Sequence, residues 1–258
     1  MDKIKKILTF PAITAAAFIL AGILLGFSTI GGARAALTYY SETYASQMEM
    51  QDIGVSLVEN GTNISSRDYA SKESDGTWDE HTGELLAGML EETDGMLILG
   101  RDYTEKLSVA NTGTIGEYVR VTVYRYWVDA DGNKTMNIDP SAINLNLVNL
   151  VGPEGGCWIE DTTAATRERT VLYYNRLLPS GSATPEFSDK IRIDGDMASH
   201  ITTSTDENGV TTSEYDYNGC RFILEATVDA VQDHNAEAAI LSAWGMNVSV
   251  TNETLSLK

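Results

Sequence analysis

A strict alternation between residues 118 and 127 constrains this chain more than any other feature. Three valines fall on one side of an extended strand and polar or aromatic residues on the other: Val119, Val121 and Val123 against Tyr118, Arg120, Thr122, Tyr124 and Tyr126. This two-residue period, rich in β-branched and aromatic side chains, predicts a half-buried β-strand. Turn signals at 111–113 and at Asp131-Gly132 flank it. The centre of the chain is therefore predicted to be an antiparallel meander.

A second alternation, at 220–229, has the same character. Apolar side chains face inward and polar ones outward: Cys220, Phe222, Leu224, Ala226 and Val228 against Arg221, Glu225, Thr227 and Asp229. With shorter strand patterns elsewhere, we expect about eight to ten strands and a few short helices, arranged as an antiparallel β-sandwich. The acidic stretch 62–93 lacks this period and is predicted to be a surface insertion. Residues 36–258 then form a single β-sandwich domain.

The chain is strongly acidic, with a net charge of -19 over 258 residues. Its first 35 residues hold four basic side chains and one acidic one, so the remainder carries -22. Such a surface repels nucleic acid and anionic membranes, and we predict neither as a partner. It suits solubility, cation binding or a location on the exterior of a cell.

The N-terminus has the pattern of a secretory signal peptide, over residues 1–35. Three lysines among the first six residues precede an uncharged run at 7–30, and Ala33 and Ala35 form a signal-peptidase pattern. We predict cleavage before Ala36 and a secreted mature protein, in the extracellular matrix or on the cell surface, that meets membrane only through its signal segment. The uncharged run is also long enough to span a bilayer, so a retained anchor is the alternative.

The sequence lacks the motifs of common catalytic sites. Its three histidines, His81, His200 and His234, do not form a zinc-protease motif. Neither a nucleophile elbow nor a phosphate-binding loop nor a dinucleotide fingerprint occurs. We therefore predict no enzymatic activity and no cofactor.

A weak candidate for a metal site is the set Asp129, Asp131 and Asn133, which has the spacing of a calcium loop. The glycine is misplaced at 132 and Pro140 stands where a bidentate glutamate belongs, so a hairpin turn explains these residues better.

The two cysteines, Cys157 and Cys220, are too few for a disulfide scaffold. A single bridge between them and a pair of free thiols both stay open.

Four segments of the mature chain occur in an informative order. An aromatic tract follows the signal peptide (LTYYSETYASQMEMQDIGVSL), and a strand-turn-strand segment reads YTEKLSVANTGTIGEYVRVTVY. A tyrosine-rich strand, a turn and a further strand read YYNRLLPSGSATPEFSDKIRI, and a closing strand reads ILEATVDAVQDHNAEAAILSAWG. Together these segments resemble the TasA/camelysin-type family of secreted biofilm-matrix fibre proteins from Gram-positive bacteria. The resemblance implies a jelly-roll-like sandwich that assembles into extracellular filaments.

In that family the mature N-terminal segment leaves its own domain and adds as a strand to the next subunit. By this resemblance the donor strand here is 36–50, and its large side chains are Leu37, Tyr39, Tyr40 and Tyr44. Head-to-tail contacts that do not close into a ring generate a fibre. The expected partner is therefore a second copy, with other matrix or cell-surface components as further candidates. The stretch 62–93 has no counterpart in the family pattern.

A monomeric adhesin or glycan-binding module is the alternative function. Tyr118, Tyr124 and Tyr126 share one strand face with Arg120, and tyrosine offers both a stacking surface and a polar tip. The competing explanation is that the sandwich core covers one face of this strand and the 62–93 insertion covers the other. The state of 36–50 separates the two functions, because a fibre subunit donates it and a monomeric module folds it back onto its own sheet.

Overall fold

The computed structural model describes residues 52–72 and 78–258, together with residue 15 and residues 18–21, which are helical. The chain divides into two units, Met1–Glu49 and Met50–Lys258, and all the described strands belong to the second. No helix within the described residues is long and apolar enough to cross a membrane. The predicted cleavage and donor-strand residues lie outside the described residues: Ala33, Ala35, Ala36, Leu37, Tyr39, Tyr40 and Tyr44.

The described part of the second unit contains fifteen strands and one α-helix. The strands are β1 (Gly54–Glu59), β2 (Thr62–Lys72), β3 (Trp78–His81), β4 (Asp102–Asn111), β5 (Glu117–Val128), β6 (Lys134–Thr135), β7 (Ile143–Leu147), β8 (Trp158–Glu160), β9 (Arg169–Tyr174), β10 (Ser188–Ile193), β11 (Ile201–Thr205), β12 (Thr211–Tyr215), β13 (Arg221–Gln232), β14 (Val248–Thr251) and β15 (Thr254–Leu257). The helix is α1 (Ala236–Trp244), and 3₁₀ turns occur at Glu91–Thr93, Pro140–Ala142 and Gly195–Ser199.

Two antiparallel sheets form the body of the protein. The six-stranded sheet has the order β3-β2-β1-β4-β10-β7, and the five-stranded sheet has the order β13-β5-β9-β8, with β6 paired to β5. Inward side chains of both sheets meet in one core, where Leu107 and Val109 of the first sheet join Val121 and Leu172 of the second. The predicted all-β antiparallel sandwich is confirmed, while the finer jelly-roll arrangement stays a prediction.

The two alternating segments of the sequence are neighbours in the five-stranded sheet. β5 and β13 pair along their whole length, from Arg221 opposite Val128 to Gln232 opposite Glu117. The valines at 119, 121 and 123 are buried in the core, as their period predicts. This long pairing therefore joins residues about a hundred positions apart in sequence.

The stretch 62–93, predicted to be a surface insertion, contributes two strands to the six-stranded sheet. β2 pairs with β1, and β3 extends the sheet by one more strand. The register of β2 shifts at Ile64, because Leu57 lies opposite Ser65 and Val58 lies opposite Asn63. Such a bulge interrupts the two-residue period, and for this reason the alternation does not reveal the strand.

A third layer covers the outer face of the five-stranded sheet. Side chains of α1 and of the β14–β15 hairpin, among them Ile240 and Leu255, pack on Tyr118 and Tyr173 in a second apolar cluster. All four side chains are at most 2% exposed. The cover that the sequence led us to expect from 62–93 is thus supplied by the C-terminal elements.

Asn111 organises the turn between β4 and β5. Its side-chain amide donates to the carbonyl oxygens of Ile115 and Leu178 at 2.7 and 2.9 Å, and its Oδ1 accepts the N–H of Gly113 at 2.8 Å. The Gly113 N–H also donates to the carbonyl of Gly54 at 3.1 Å. The turn therefore also fixes the point at which β1 enters the sandwich.

We expect Asn111→Ala to lower the free energy of unfolding by on the order of 3 kcal/mol, because buried backbone groups lose their partners. Urea denaturation of the full chain measures this change. Asn218→Ala is the matched control: its exposed side chain bonds only Glu214 among the described residues, so a change within about 0.5 kcal/mol is expected. Equal effects at the two positions would contradict this account of the turn.

Candidate functional site

One long edge of the sandwich is unpaired. β13 pairs with β5 on one side, and no strand of the described residues pairs with its other side. The strand is 12 residues long. An open edge presents backbone N–H and C=O groups that another strand can bind, and natural proteins usually cover or shorten such edges. An open edge of this length is therefore a candidate binding site.

A groove of about 220 Å³ runs along this edge. β13 contributes Leu224, Ala226 and Val228 to its wall, which are residues of the predicted inward face. β13 contacts β1 across the sandwich, whereas the six-stranded sheet continues past β1 to β2 and β3. Ile64, Ser65 and Ser66 of β2 also line the groove. The groove thus lies along the free side of β13.

The opposite wall of the groove belongs to the segment 82–86, which we call the strap. Its residues Leu85 and Leu86 are half-buried against the core, while the first three residues of the strap are exposed. The backbone N–H of Leu86 donates to Oε1 of Glu59 at 2.7 Å. A carboxyl group from β1 therefore holds one end of the strap.

Glu59 belongs to a pair of buried carboxyl groups. Glu105, on the neighbouring strand β4, is 1% exposed and points into the core. It lies two residues from Leu107, which is directly opposite Glu59 in the pairing of β1 with β4. Burial, the charge of Glu59 and a hydrogen bond with its carboxyl group raise the pKa of Glu105 to about 8. The pair therefore holds a proton at neutral pH.

A third carboxyl group, that of Glu117, faces the core at the other end of the sandwich. Glu117 lies two residues before Val119 on β5, so both side chains point to the inward face, and Glu117 is completely buried. Neither carboxyl oxygen has a side-chain or backbone partner at hydrogen-bonding geometry among the described residues. Burial raises the pKa of Glu117 to about 8, with the Gly54 backbone acting in the opposite direction.

These shifts predict that the protein is less stable in alkaline solution. The pKa values of Glu105 and Glu117 in the fold lie above the usual 4.5, so the folded state binds more protons than the unfolded state between about pH 4.5 and 8. The free energy of unfolding falls as the pH rises through this range. We expect Glu117→Gln to remove about half of that fall, because an amide does not ionise.

Urea denaturation at intervals from about pH 5 to pH 9 measures this dependence. Glu253→Gln is the control, since Glu253 is exposed and should leave the profile unchanged. If the free energy of unfolding of Glu117→Gln falls with pH as steeply as that of the parent protein, the pKa of Glu117 is not elevated.

The tyrosine face of β5 is largely covered. Tyr118 is buried, and Arg120 pairs with Asp229 at 2.7 Å. The hydroxyl of Tyr126 donates to Glu225 at 2.7 Å. Tyr124 is 37% exposed and Tyr126 is half-buried, so two rings keep exposed surface along this strand. Burial of Tyr118 limits this aromatic surface to Tyr124 and Tyr126, and a glycan-binding role for this face stays a prediction.

The metal candidates at 129–133 form a hairpin turn between β5 and β6. Oδ1 of Asp129 accepts the backbone N–H groups of Asp131 and Asn133 at 3.0 and 2.9 Å. Gly132 adopts a φ of 84°, which a turn of this kind requires. Within the described residues no group of three or more His, Cys, Asp or Glu side chains could hold a metal ion.

The disulfide left open by the sequence is not formed. Cys157 and Cys220 are free thiols. Cys157 precedes β8 and Cys220 precedes β13, the two outer strands of the order β13-β5-β9-β8. Three strand spacings of about 4.8 Å separate these strands, which is too far for a bridge.

A second cavity, of about 300 Å³, lies at the foot of the β11–β12 hairpin. Three of its carboxylates, Asp139, Asp194 and Asp216, accept hydrogen bonds from Ser141, Asp196 and Thr202. His200 ends the adjacent 3₁₀ turn, where its N–H donates to the carbonyl of Met197. The polar lining is explained by turn capping, and the open edge of β13 is the stronger candidate site.

Comparisons with protein-family models, with curated proteins and with solved structures find no match for this chain.

Sequence reasoning did not single out the three inward carboxyl groups. Their positions were nevertheless readable, because Glu59 follows Val55 and Leu57, and Glu117 precedes Val119, at two-residue spacing. The strap had no comparable signal. Its position depends on contact with Ile64, which only the folded chain brings beside it.

Proposed function

We propose that the protein is a secreted structural subunit of extracellular matrix or surface fibres, as the resemblance to the TasA/camelysin family implies. The observation that carries the proposal is the open edge of β13, which has an apolar-lined groove beside it. The proposed occupant is segment 36–50 of a second copy, which adds to the sheet by main-chain hydrogen bonds and places alternate side chains in the groove.

The length of the segment supports this occupant. Fifteen residues in extended conformation reach roughly 50 Å, whereas the 12 residues of β13 cover roughly 40 Å. The segment contains Leu37 and Tyr39, which alternate with Thr38 and Tyr40. Leu37 and Tyr39 thus place two large side chains on one face of the segment, which suits a groove lined by Leu224, Ala226 and Val228.

The place where the chain enters the sandwich also supports assembly between copies. Asp52 lies at the turn between β4 and β5, where its N–H donates to Oγ1 of Thr114 at 3.0 Å. β13 ends at the same turn, because the N–H of Asp233 donates to the carbonyl of Gly116 at 3.3 Å. Segment 36–50 ends two residues before Asp52 in the sequence, and in the proposed fibre it binds β13 of a second copy. Repetition of this head-to-tail contact without ring closure gives a filament.

We expect deletion of 36–50 from the full chain to abolish filaments while the sandwich stays folded. Negative-stain microscopy of the concentrated, exported protein detects filaments, and circular dichroism with urea denaturation checks the fold. Filaments that persist in the deletion variant would contradict the donor-strand mechanism.

We also expect Ala226→Lys to abolish filaments, since an inward-pointing charge on an open edge blocks strand addition. Thr212→Lys is the matched control, because Thr212 is an exposed strand residue remote from the groove lining. If both lysine variants assemble equally well, β13 is not the acceptor edge.

A photo-crosslinker at Tyr39 then identifies the acceptor molecule. Crosslinks between two copies are expected for a fibre subunit. Crosslinks within one copy, together with a stable monomer, would instead favour the monomeric binding module.

A further inference from the structure

We propose that the strap, residues 82–86, is a removable wall that closes the groove in the free subunit and leaves Ile64 when a strand of a second copy binds along β13. The inference rests on the proposed function and concerns the regulation of the same site. It makes assembly depend on the displacement of a segment of the acceptor subunit itself.

The size of the groove requires such a displacement. Its volume of about 220 Å³ is below the roughly 300–1,000 Å³ of a pocket that holds a drug-sized ligand. A strand of several residues is larger than such a ligand. The groove can therefore accept one or two side chains as it stands, but a whole strand fits only after one wall has moved.

The strap is the wall that can move. The other walls are β1, β2 and β13, each of which is hydrogen-bonded into a sheet. The strap belongs to no strand, and its residues 82–84 are exposed. Segments with few buried contacts open at a lower free energy than the strands of a core, so the strap opens before the sheets do.

Gly83 lets the strap lie in close contact with β2, because it has no side chain. A Cβ atom at this position would lie 1.7 Å from the carbonyl oxygen of Ile64 and 2.6 Å from its carbonyl carbon. Contacts under 3.0 Å with backbone atoms cannot be relieved by a side-chain rotation. Glycine is thus the residue that allows the strap to lie against Ile64, and any side chain at 83 pushes the strap away.

The second attachment of the strap is under strain. Leu86 donates its N–H to Glu59, while its backbone has a φ of 66°. This left-handed conformation is unfavourable for a residue with a branched side chain. The hydrogen bond to Glu59 therefore opposes a backbone preference for a different conformation, and loss of either attachment favours release.

The test compares Gly83→Ala with Gly88→Ala in the exported full-length protein. Gly88 is the matched control, because a Cβ there would meet only Glu91 side-chain atoms at 3.7 and 3.8 Å. We expect Gly83→Ala to shorten the lag before filaments form by roughly tenfold, the ratio that corresponds to about 1.4 kcal/mol of lost strap stability. Gly88→Ala should keep the lag of the parent protein.

Hydrogen exchange supplies a second readout that does not depend on the variant folding. The Leu86 amide is expected to be protected in the free subunit and to exchange faster in filaments of the parent protein, because the strap has left Glu59. Filaments in which Leu86 stays protected, or an unchanged lag in folded Gly83→Ala, overturn the removable wall and leave the proposed fibre function intact. Absence of filaments from the parent protein overturns both.

Discussion

The twelve-residue pairing of β5 with β13 is the interaction on which the rest of the sandwich depends. It brings together two segments far apart in sequence and sets the inward face of the five-stranded sheet through Val119, Val121 and Val123. The same pairing leaves the outer side of β13 without a partner among the described strands. This twelve-residue pairing and the candidate binding edge are therefore the two sides of one strand.

Inward carboxyl groups oppose the stability that this core provides. Glu59 and Glu105 face the core near the strap, and Glu117 faces it near the turn where β1 begins. Burial disfavours the charged forms of Glu105 and Glu117 and raises their pKa values, so core packing and charge act against each other at both ends of the sandwich. At the strap end this polar pair also supplies the hydrogen bond to Leu86. A feature that lowers stability in alkaline solution thus also positions a wall of the groove.

Much of the fold was predictable from the sequence, and the failures have physical causes. The period at 118–127 and at 220–229 predicted the strands β5 and β13 and their inward faces. The same reasoning missed β2 because the bulge at Ile64 breaks the period, and it assigned the cover of Tyr118 to 62–93 although α1 and the C-terminal hairpin provide it. An alternating pattern indicates that a face of a strand is buried, but it does not indicate which distant segment buries that face.

The amino-acid sequence by itself determined the strand class of the protein, the inward register of β5 and β13, the turns at 111–113 and 129–133, and the acidic charge. These properties depend on neighbouring residues, whose side-chain period and turn conformations are local. Only the tertiary structure decided which strand edge is left open, that Cys157 and Cys220 lie apart, and that the strap closes the groove against Ile64. Those features depend on how two sheets of unequal width lie on one another, and no local pattern encodes that width.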